Sequence, residues 1–383
     1  MISYGKQSIS HKDIKSVTKV LKGNFLTQGP SVNNFEKSLQ KYFKCNNAIA
    51  VSSGTAALNL ISKFLKWKKD DLIVVSPITF LSSANCILES KAKPYFIDIN
   101  MNDYSIDLDI LEKKLKKFKK KIKAIIVTDY AGHPADWQRL YKLKKKYNLI
   151  LINDNCHSMG STINKNQGYA CKFADFVSLS FHPVKNFTTG EGGAILTNNN
   201  KISNMLKSLR SHGVTRSPAL SKKFGPWYYE MRELGNNYRL SDIHAALGIS
   251  QIKRLNLFVK RRKVIASFYN KLFCDRSKFT TPTIRKNNGH SFHLYPLLLN
   301  LNKIKKSKKE IFKEFLKNNI RLQVHYIPVN AQPFYKKLIP LNKKKYKNSF
   351  NFYERQISMP IYFDLTDTQL KYIKKVCKKV FNI

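Results

Sequence analysis

Acidic residues are scarce in this chain of 383 residues: 24 Asp and Glu stand against 69 Lys and Arg, for a formal net charge of +45. Arginine is scarce too, at 12 of those 69. No run approaches the ~18 consecutive apolar residues that a membrane helix needs, so a membrane protein of that kind is not expected. The stretch Met1 to Ser10 lacks the apolar centre of a signal peptide, which leads to the expectation of a soluble, cytoplasmic protein. The six cysteines, at positions 45, 86, 156, 171, 274 and 377, match neither a zinc-ligand spacing nor a disulfide framework, so reduced thiols and no metal site are expected. The Gly-Lys-Ser/Thr of a nucleotide P-loop and the Gly-x-Gly-x-x-Gly of a dinucleotide fold are both missing.

What is present is core material. Hydrophobic residues make up 43% of the chain and aromatics 12%, enough to exclude disorder as the main state and to support two domains. The excess of cations invites a nucleic-acid function, because clustered Lys and Arg release counterions from phosphates. Composition weakens that reading. The cations are mostly Lys, in a chain also rich in Asn and Ile. Runs such as Lys113 to Lys123 and Lys303 to Lys309 lack the interleaved aromatic platforms of single-strand binders. Solvated faces are expected, with an attraction for anionic substrates and no nucleic-acid partner.

Short apolar runs recur with amphipathic stretches between them. Asn47 to Ser53, Asp71 to Pro77, Pro94 to Ile99, Lys123 to Tyr130, Leu149 to Asn155, Phe176 to Phe181 and Ala194 to Thr197 read as seven strands buried on both faces. Ala56 to Trp67, Asp107 to Lys119 and Asp136 to Tyr147 supply crossover helices. Residues 1–250 are therefore predicted to form a large α/β domain around a mostly parallel sheet. Residues 251–383 are predicted to form a smaller α+β domain. Around that boundary the pattern gives one basic helix over Ser241 to Tyr269, strands near His290 to Leu299 and Arg321 to Tyr326, a helix near Lys308 to Lys317 and a closing helix over Thr366 to Val380.

Three features carry chemistry. Ser52-Ser53-Gly54-Thr55-Ala56 follows the first strand and opens a helix, where free N–H groups and the helix dipole suit a phosphate, although Ser or Thr before Gly is also an ordinary cap. Asp154 ends the fifth strand, the edge at which open α/β sheets hold ligands. A salt bridge or a loop cap is its plainer role. Lys185 lies in a segment short of charge and rich in Gly, Thr and aromatics, where a desolvated amine can form an imine. Phosphate anchor, strand-end acid and sequestered amine are together what pyridoxal 5'-phosphate chemistry requires.

At these residues the chain resembles the DegT/DnrJ/StrS family of sugar aminotransferases, fold type I pyridoxal phosphate enzymes. The resemblance extends to Leu26-Thr27-Gln28-Gly29, Pro77-Ile78-Thr79-Phe80, Asp129-Tyr130-Ala131-Gly132-His133-Pro134, Leu234-Gly235-Asn236-Asn237-Tyr238-Arg239 and Ser358-Met359-Pro360-Ile361-Tyr362. The tracts around Trp227 and His325 resemble the branch that serves pseudaminic acid biosynthesis. Bacillosamine, legionaminic acid and aminoarabinose branches share every catalytic residue. The resemblance implies an aspartate aminotransferase-like fold in which Lys185 forms the Schiff base and Asp154 pairs with the pyridine nitrogen. Gly54, Thr55, Ala56 and Ser180 would hold the phosphate, Phe80 would stack on the ring, and His157 would complete the cofactor site. Asn237 would reach across a homodimer with shared active sites. Tyr4, Asn24, Phe25, Leu26, Thr27, Gln323, His325 and Tyr326 would line the site for a UDP-linked 4-keto-6-deoxy amino sugar, with L-glutamate as amino donor. Two positions depart from the family pattern: His244 stands where Gln is common, and Cys156 where Ala or Ser is usual.

Overall fold

Runs of Val, Ile, Leu and Phe too short for helices become strands that pair across a seven-stranded sheet in the computed structural model, which describes residues 1–118 and 121–383. Lys119, the expected end of one helix, lies outside the described residues, as does part of the Lys113 to Lys123 run. The strands are β1 (Asn47–Val51), β2 (Leu72–Val75), β3 (Lys93–Phe96), β4 (Ile122–Thr128), β5 (Ile150–Asp154), β6 (Phe176–Ser180) and β7 (Gly193–Thr197). Their order is β1-β7-β6-β5-β4-β2-β3, with β7 alone antiparallel to its neighbours. All seven strands expected from the sequence are present, each within about two residues of its expected ends except β3, which stops at Phe96 rather than Ile99.

Helices cover both faces. Leu39, Leu111 and Leu140 pack on one face and Leu58, Ile61, Ile87 and Leu206 on the other, all fully buried. The helix Gly54–Leu65 leaves β1 directly. Its buried positions recur every three to four residues, the stripe that a helix lays on a sheet.

A second apolar cluster gathers around a three-stranded antiparallel sheet of β8 (Phe279–Thr280), β9 (Tyr295–Leu299) and β10 (Gln356–Met359). The helices Lys308–Lys317 and Asp367–Phe381 cover it. Ile2 is buried in this cluster: its N–H donates to the Asn319 carbonyl at 2.7 Å, and its own carbonyl accepts from the Arg321 N–H at 2.8 Å. Val329, Tyr335 and Tyr346 return to pack against the seven-stranded sheet.

Two expectations change. The helix expected over Ser241 to Tyr269 is two helices, Asp242–Ile252 and Leu255–Leu272, which meet at Lys253 and Arg254. Arg254 turns there to pair with the buried Asp13 at 3.1 Å and lies over the Phe258 ring. The apolar stripe runs on through the turn, so its periodicity conceals the break. The strand expected over Arg321 to Tyr326 reduces to isolated bridges, Ile2 with Ile320 and Gln323 with Ser358. Backbone groups that would form a ladder go to side chains instead: the His325 N–H donates to Gln356 Oε1 at 3.0 Å, and the His325 carbonyl accepts from the Tyr130 hydroxyl.

Candidate active site

The register of the large sheet assembles the site. Thr128 lies opposite Asp154, Asp154 opposite Ser178, and both Ser180 and Val51 opposite Gly193. The ends of five adjacent strands therefore share one edge, beside the start of the helix Gly54–Leu65. A Cβ on Gly193 would stand 2.4 Å from the Ser53 carbonyl group, so only glycine lets that helix terminus come so near the sheet. A cavity of about 390 Å³ opens at this edge, lined among others by Tyr4, Gly54, Thr55, Asp154, Lys185 and Tyr326.

At the helix start Ser53 is the cap, and its Oγ accepts the Ala56 N–H at 3.0 Å. The first-turn N–H groups of Gly54 and Thr55 have no intrahelical partner and face the ligand side of the terminus. A Cβ on Gly54 would stand 2.8 Å from Ser180 Cβ, so the space beside the terminus exists because this residue is glycine.

Asp154 is 3% exposed. Its Oδ2 accepts from Ser83 Oγ at 2.6 Å and Thr128 Oγ1 at 3.5 Å, and its Oδ1 from the Cys156 N–H at 3.3 Å. Thr79 joins Ser83 and Thr128 through hydroxyl bonds of 2.9 and 2.7 Å. A carboxylate so supplied with donors is satisfied without a cation and keeps lone pairs toward the cavity.

Lys185 stands in the loop between β6 and β7. The Phe181 N–H donates to Gly192 O, Thr188 Oγ1 to Phe181 O, and Asn186 Nδ2 to Met159 O, so the loop is tied at both ends and in the middle. Loss of solvent lowers the Lys185 pKa, while Cys156 and Asp154 oppose that shift. The Cys156 thiol lines the same wall and is pushed well up by burial and then by Asp154.

The far wall is a cluster of imidazoles and one tyrosine. Ala131, at φ 58° in the turn after β4, donates its N–H to His157 Nδ1 at 3.3 Å. Burial holds the His157 pKa well below its usual value, so the ring is neutral and carries its proton on Nε2. That N–H donates to the Tyr326 hydroxyl at 2.9 Å, which leaves the tyrosine proton free for another acceptor. The His293 ring lies 4.5 Å from the His157 ring, with its Nδ1 buried and without a partner. Ser358 Oγ accepts from Gln356 Nε2 at 2.7 Å and lies 2.8 Å from His325 Nδ1. Tyr4 stacks at an angle on His325, 5.2 Å between centroids.

Of the residues singled out in the sequence, Lys185, Asp154, Gly54, Thr55, Phe80, His157, Ser180, Tyr4, His325 and Tyr326 line this cavity together. Ala56 lies just behind it, its N–H engaged by Ser53. Asn24, Phe25, Leu26 and Thr27 do not line it: this loop is exposed, with the Leu26 carbonyl accepting from the Asp242 N–H. Gln323 is exposed and turns back to its neighbour's N–H, and Asn237 sits in an isolated bridge with Ser211. His244 faces Ser241 at 2.7 Å, away from the cavity lining. The sequence reading missed Ser83, Thr128 and His293, while Ser53, read as part of the helix-opening motif, is the cap. Ser83 and Thr128 are the donors that a buried Asp154 demands, but nothing in the one-dimensional pattern says which hydroxyls arrive there.

The sheet, the edge at which the cavity opens and the lysine within it define a fold type I transferase. The profile of the DegT/DnrJ/EryC1/StrS aminotransferase family matches residues 7–380, and the chain belongs to that family of sugar aminotransferases. It is 39% identical to the UDP-4-amino-4,6-dideoxy-N-acetyl-β-L-altrosamine transaminase of Campylobacter jejuni, over 98% of this chain and 96% of that one. The structure of Helicobacter pylori PseC, an aminotransferase of pseudaminic acid biosynthesis, superposes with a TM-score of 0.90 at 31% identity, covering 100% of this chain and 99% of the other. The sugar aminotransferase Spr1654 from Streptococcus pneumoniae, in its PLP form, gives 0.88 at 28% identity, covering 99% and 98%. Among the described residues no helix is long and apolar enough to cross a membrane.

Proposed function

We propose that this enzyme moves the amino group of L-glutamate to C4 of UDP-2-acetamido-2,6-dideoxy-β-L-arabino-hex-4-ulose. The product is UDP-4-amino-4,6-dideoxy-N-acetyl-β-L-altrosamine, a precursor of pseudaminic acid. The observation that carries the chemistry is the meeting of Lys185, Asp154 and the Gly54 helix terminus in one cavity. The likeness to the Campylobacter jejuni and Helicobacter pylori enzymes supports the choice of sugar.

The residues present fit pyridoxal 5'-phosphate. Gly54 and Thr55 would offer their N–H groups to its phosphate with Ser180 beside them, Asp154 would accept from the ring nitrogen, and Phe80 would cover a ring face. When bound, the group supplies an electrophilic carbon and an electron sink. Asp154, held by Ser83, Thr128 and the Cys156 N–H, keeps a negative charge where the ring nitrogen's proton would sit. Lys185 Nζ, less basic than in water, can give up its proton and later carry the proton taken from the amino donor's α-carbon. His157 fixes the Tyr326 hydroxyl so that its proton points away from the imidazole, toward a substrate oxygen. The His325 imidazole is a second polar group on the same wall. Glutamate and the sugar use the cavity in turn, so the kinetics are ping-pong. Asn237 lies off its own chain's cavity and would serve the neighbouring site in a homodimer; the Asn24 to Thr27 loop, expected in the site, also lies off it.

The test is a visible spectrum of the purified protein with pyridoxal phosphate. Its band should disappear with L-glutamate and return with the β-L-arabino keto sugar. Return with a different UDP-4-keto-6-deoxy sugar would change the substrate and keep the chemistry. Absence of any band would overturn the proposal.

A further inference from the structure

Behind Asp154 lies a second carboxylate that the chemistry above leaves idle. Asp129, fully buried at the carboxyl end of β4, accepts five hydrogen bonds. Its Oδ1 takes the Ala135 N–H at 2.9 Å and the Trp137 Nε1–H at 2.8 Å. Its Oδ2 takes the Tyr169 hydroxyl at 2.6 Å and the side-chain amides of Asn153 and Asn155 at 3.2 and 3.1 Å. The main chain joins in: the Asp129 N–H donates to the Asp154 carbonyl at 3.3 Å, and Ser158 Oγ donates to the Asp129 carbonyl at 3.2 Å. Every partner is a neutral donor. Burial pushes the Asp129 pKa up to about 6 against those donors, so the group is an acceptor-only carboxylate at neutral pH.

Successive side chains of a strand point to opposite faces. Asn153 and Asn155 therefore share one face, and Asp154 takes the other. Both asparagines hang from a single Asp129 oxygen, and Ser158 hangs from its carbonyl, so the segment 153–158 is pinned from below at both ends. Asp154, Cys156 and His157 are carried on that segment into the cavity wall. An uncompensated buried carboxylate is a poor source of stability. As a clamp that accepts from five directions at once it has no substitute, because Asn in its place brings two N–H donors against partners that are all donors themselves.

We propose that Asp129 is a positioning residue for Asp154, holding its carboxylate at the angle the ring nitrogen requires. This rests on the role given to Asp154 above. In the Asp129→Asn holoenzyme, kcat should fall by about 10- to 100-fold while KM for the keto sugar stays within about threefold, the signature of lost alignment rather than lost binding. In the cofactor-free protein, alkylation of Cys156 by iodoacetamide, followed by peptide mass mapping, should accelerate by roughly tenfold as the segment loosens. Tyr169→Phe removes one donor without introducing a clash and should move both readouts the same way by less. A folded Asp129→Asn protein with unchanged kcat and unchanged Cys156 alkylation overturns the proposal. If that variant does not fold, the same two null results in Tyr169→Phe overturn it instead. The alkylation arm needs no cofactor, so the two failures are distinguishable: a wild-type protein without a glutamate-sensitive band defeats the proposed function, and unchanged alkylation in the variants defeats the hold of Asp129 on the segment that carries Asp154.

Discussion

Lys185 illustrates what one residue can and cannot announce about itself. In a lysine-rich chain it stands out only because its neighbours are uncharged, and the structure shows why they are: Phe181 and Phe187 pack against one another, 4.9 Å between centroids, beneath the loop that carries it. Lys185→Ala should abolish turnover and the visible band of the bound cofactor with little loss of stability, since removing a desolvated amine also removes its burial cost. Circular dichroism melting beside a single-turnover assay checks both halves, and normal multiple turnover would exclude the assigned role. Asp154→Asn should retain cofactor yet lose about 10²-fold or more in rate, because a neutral amide cannot balance the ring nitrogen's charge. Equilibrium dialysis of the cofactor and stopped-flow rates separate the two effects. The partners of Asp154 were hidden in the sequence for a physical reason: Ser83 and Thr128 are 71 and 26 residues away, and hydroxyls that donate to an acid look like any other small polar residue until the sheet register brings them together.

Elements were the most legible level, because strands buried on both faces must be apolar throughout and so mark themselves. Where the chain departs from that economy it became unreadable. The segment near Gln323 has the composition of a strand, yet its backbone is satisfied by Gln356 and Tyr130 rather than by a ladder. The two-residue ribbons Thr162–Ile163 with Asn288–Gly289 and Val214–Thr215 with Glu230–Met231 are too short to leave a period. The helix Gly54–Leu65 shows how an element serves the site: its terminus is useful only while position 54 has no side chain. Gly54→Ala would set a Cβ 2.8 Å from Ser180 and 3.4 Å from Cys156 Sγ, against wall atoms that belong to the sheet. A cost of ~1–3 kcal/mol for such crowding, if borne by the bound state, corresponds to about a 5- to 150-fold weaker hold on pyridoxal phosphate. Fluorescence titration measures this, and unchanged affinity would show that the phosphate does not lie at this terminus.

Across the whole molecule the buried imidazoles set a stability profile. Burial is the main cause holding His133 down to about 4 and His325 down to about 3, and it keeps His157, His290 and His293 well below their ordinary value. An unfolded chain takes up protons at these five rings near pH 6.5, while the folded one does not. The unfolded state therefore binds more protons below that point, so stability is full above pH 6.5 and is lost as pH falls toward the folded values. Asp129, raised to about 6, works in the opposite sense, one acid against five bases. The thermal midpoint should drop between about pH 7 and about pH 5. A flat profile would mean that the rings are not buried as neutral groups. None of this was visible in the sequence, where nine histidines among 383 residues carry no mark of burial.

The pairing of Ile2 with Asn319 and Arg321, and of the Tyr4 carbonyl with the Ile361 N–H, has a bearing on biosynthesis. Synthesis makes Tyr4 long before the Ile361 N–H that seats it. The rim of the cavity therefore cannot close until long after Lys185 and all seven strands of the large sheet have been made.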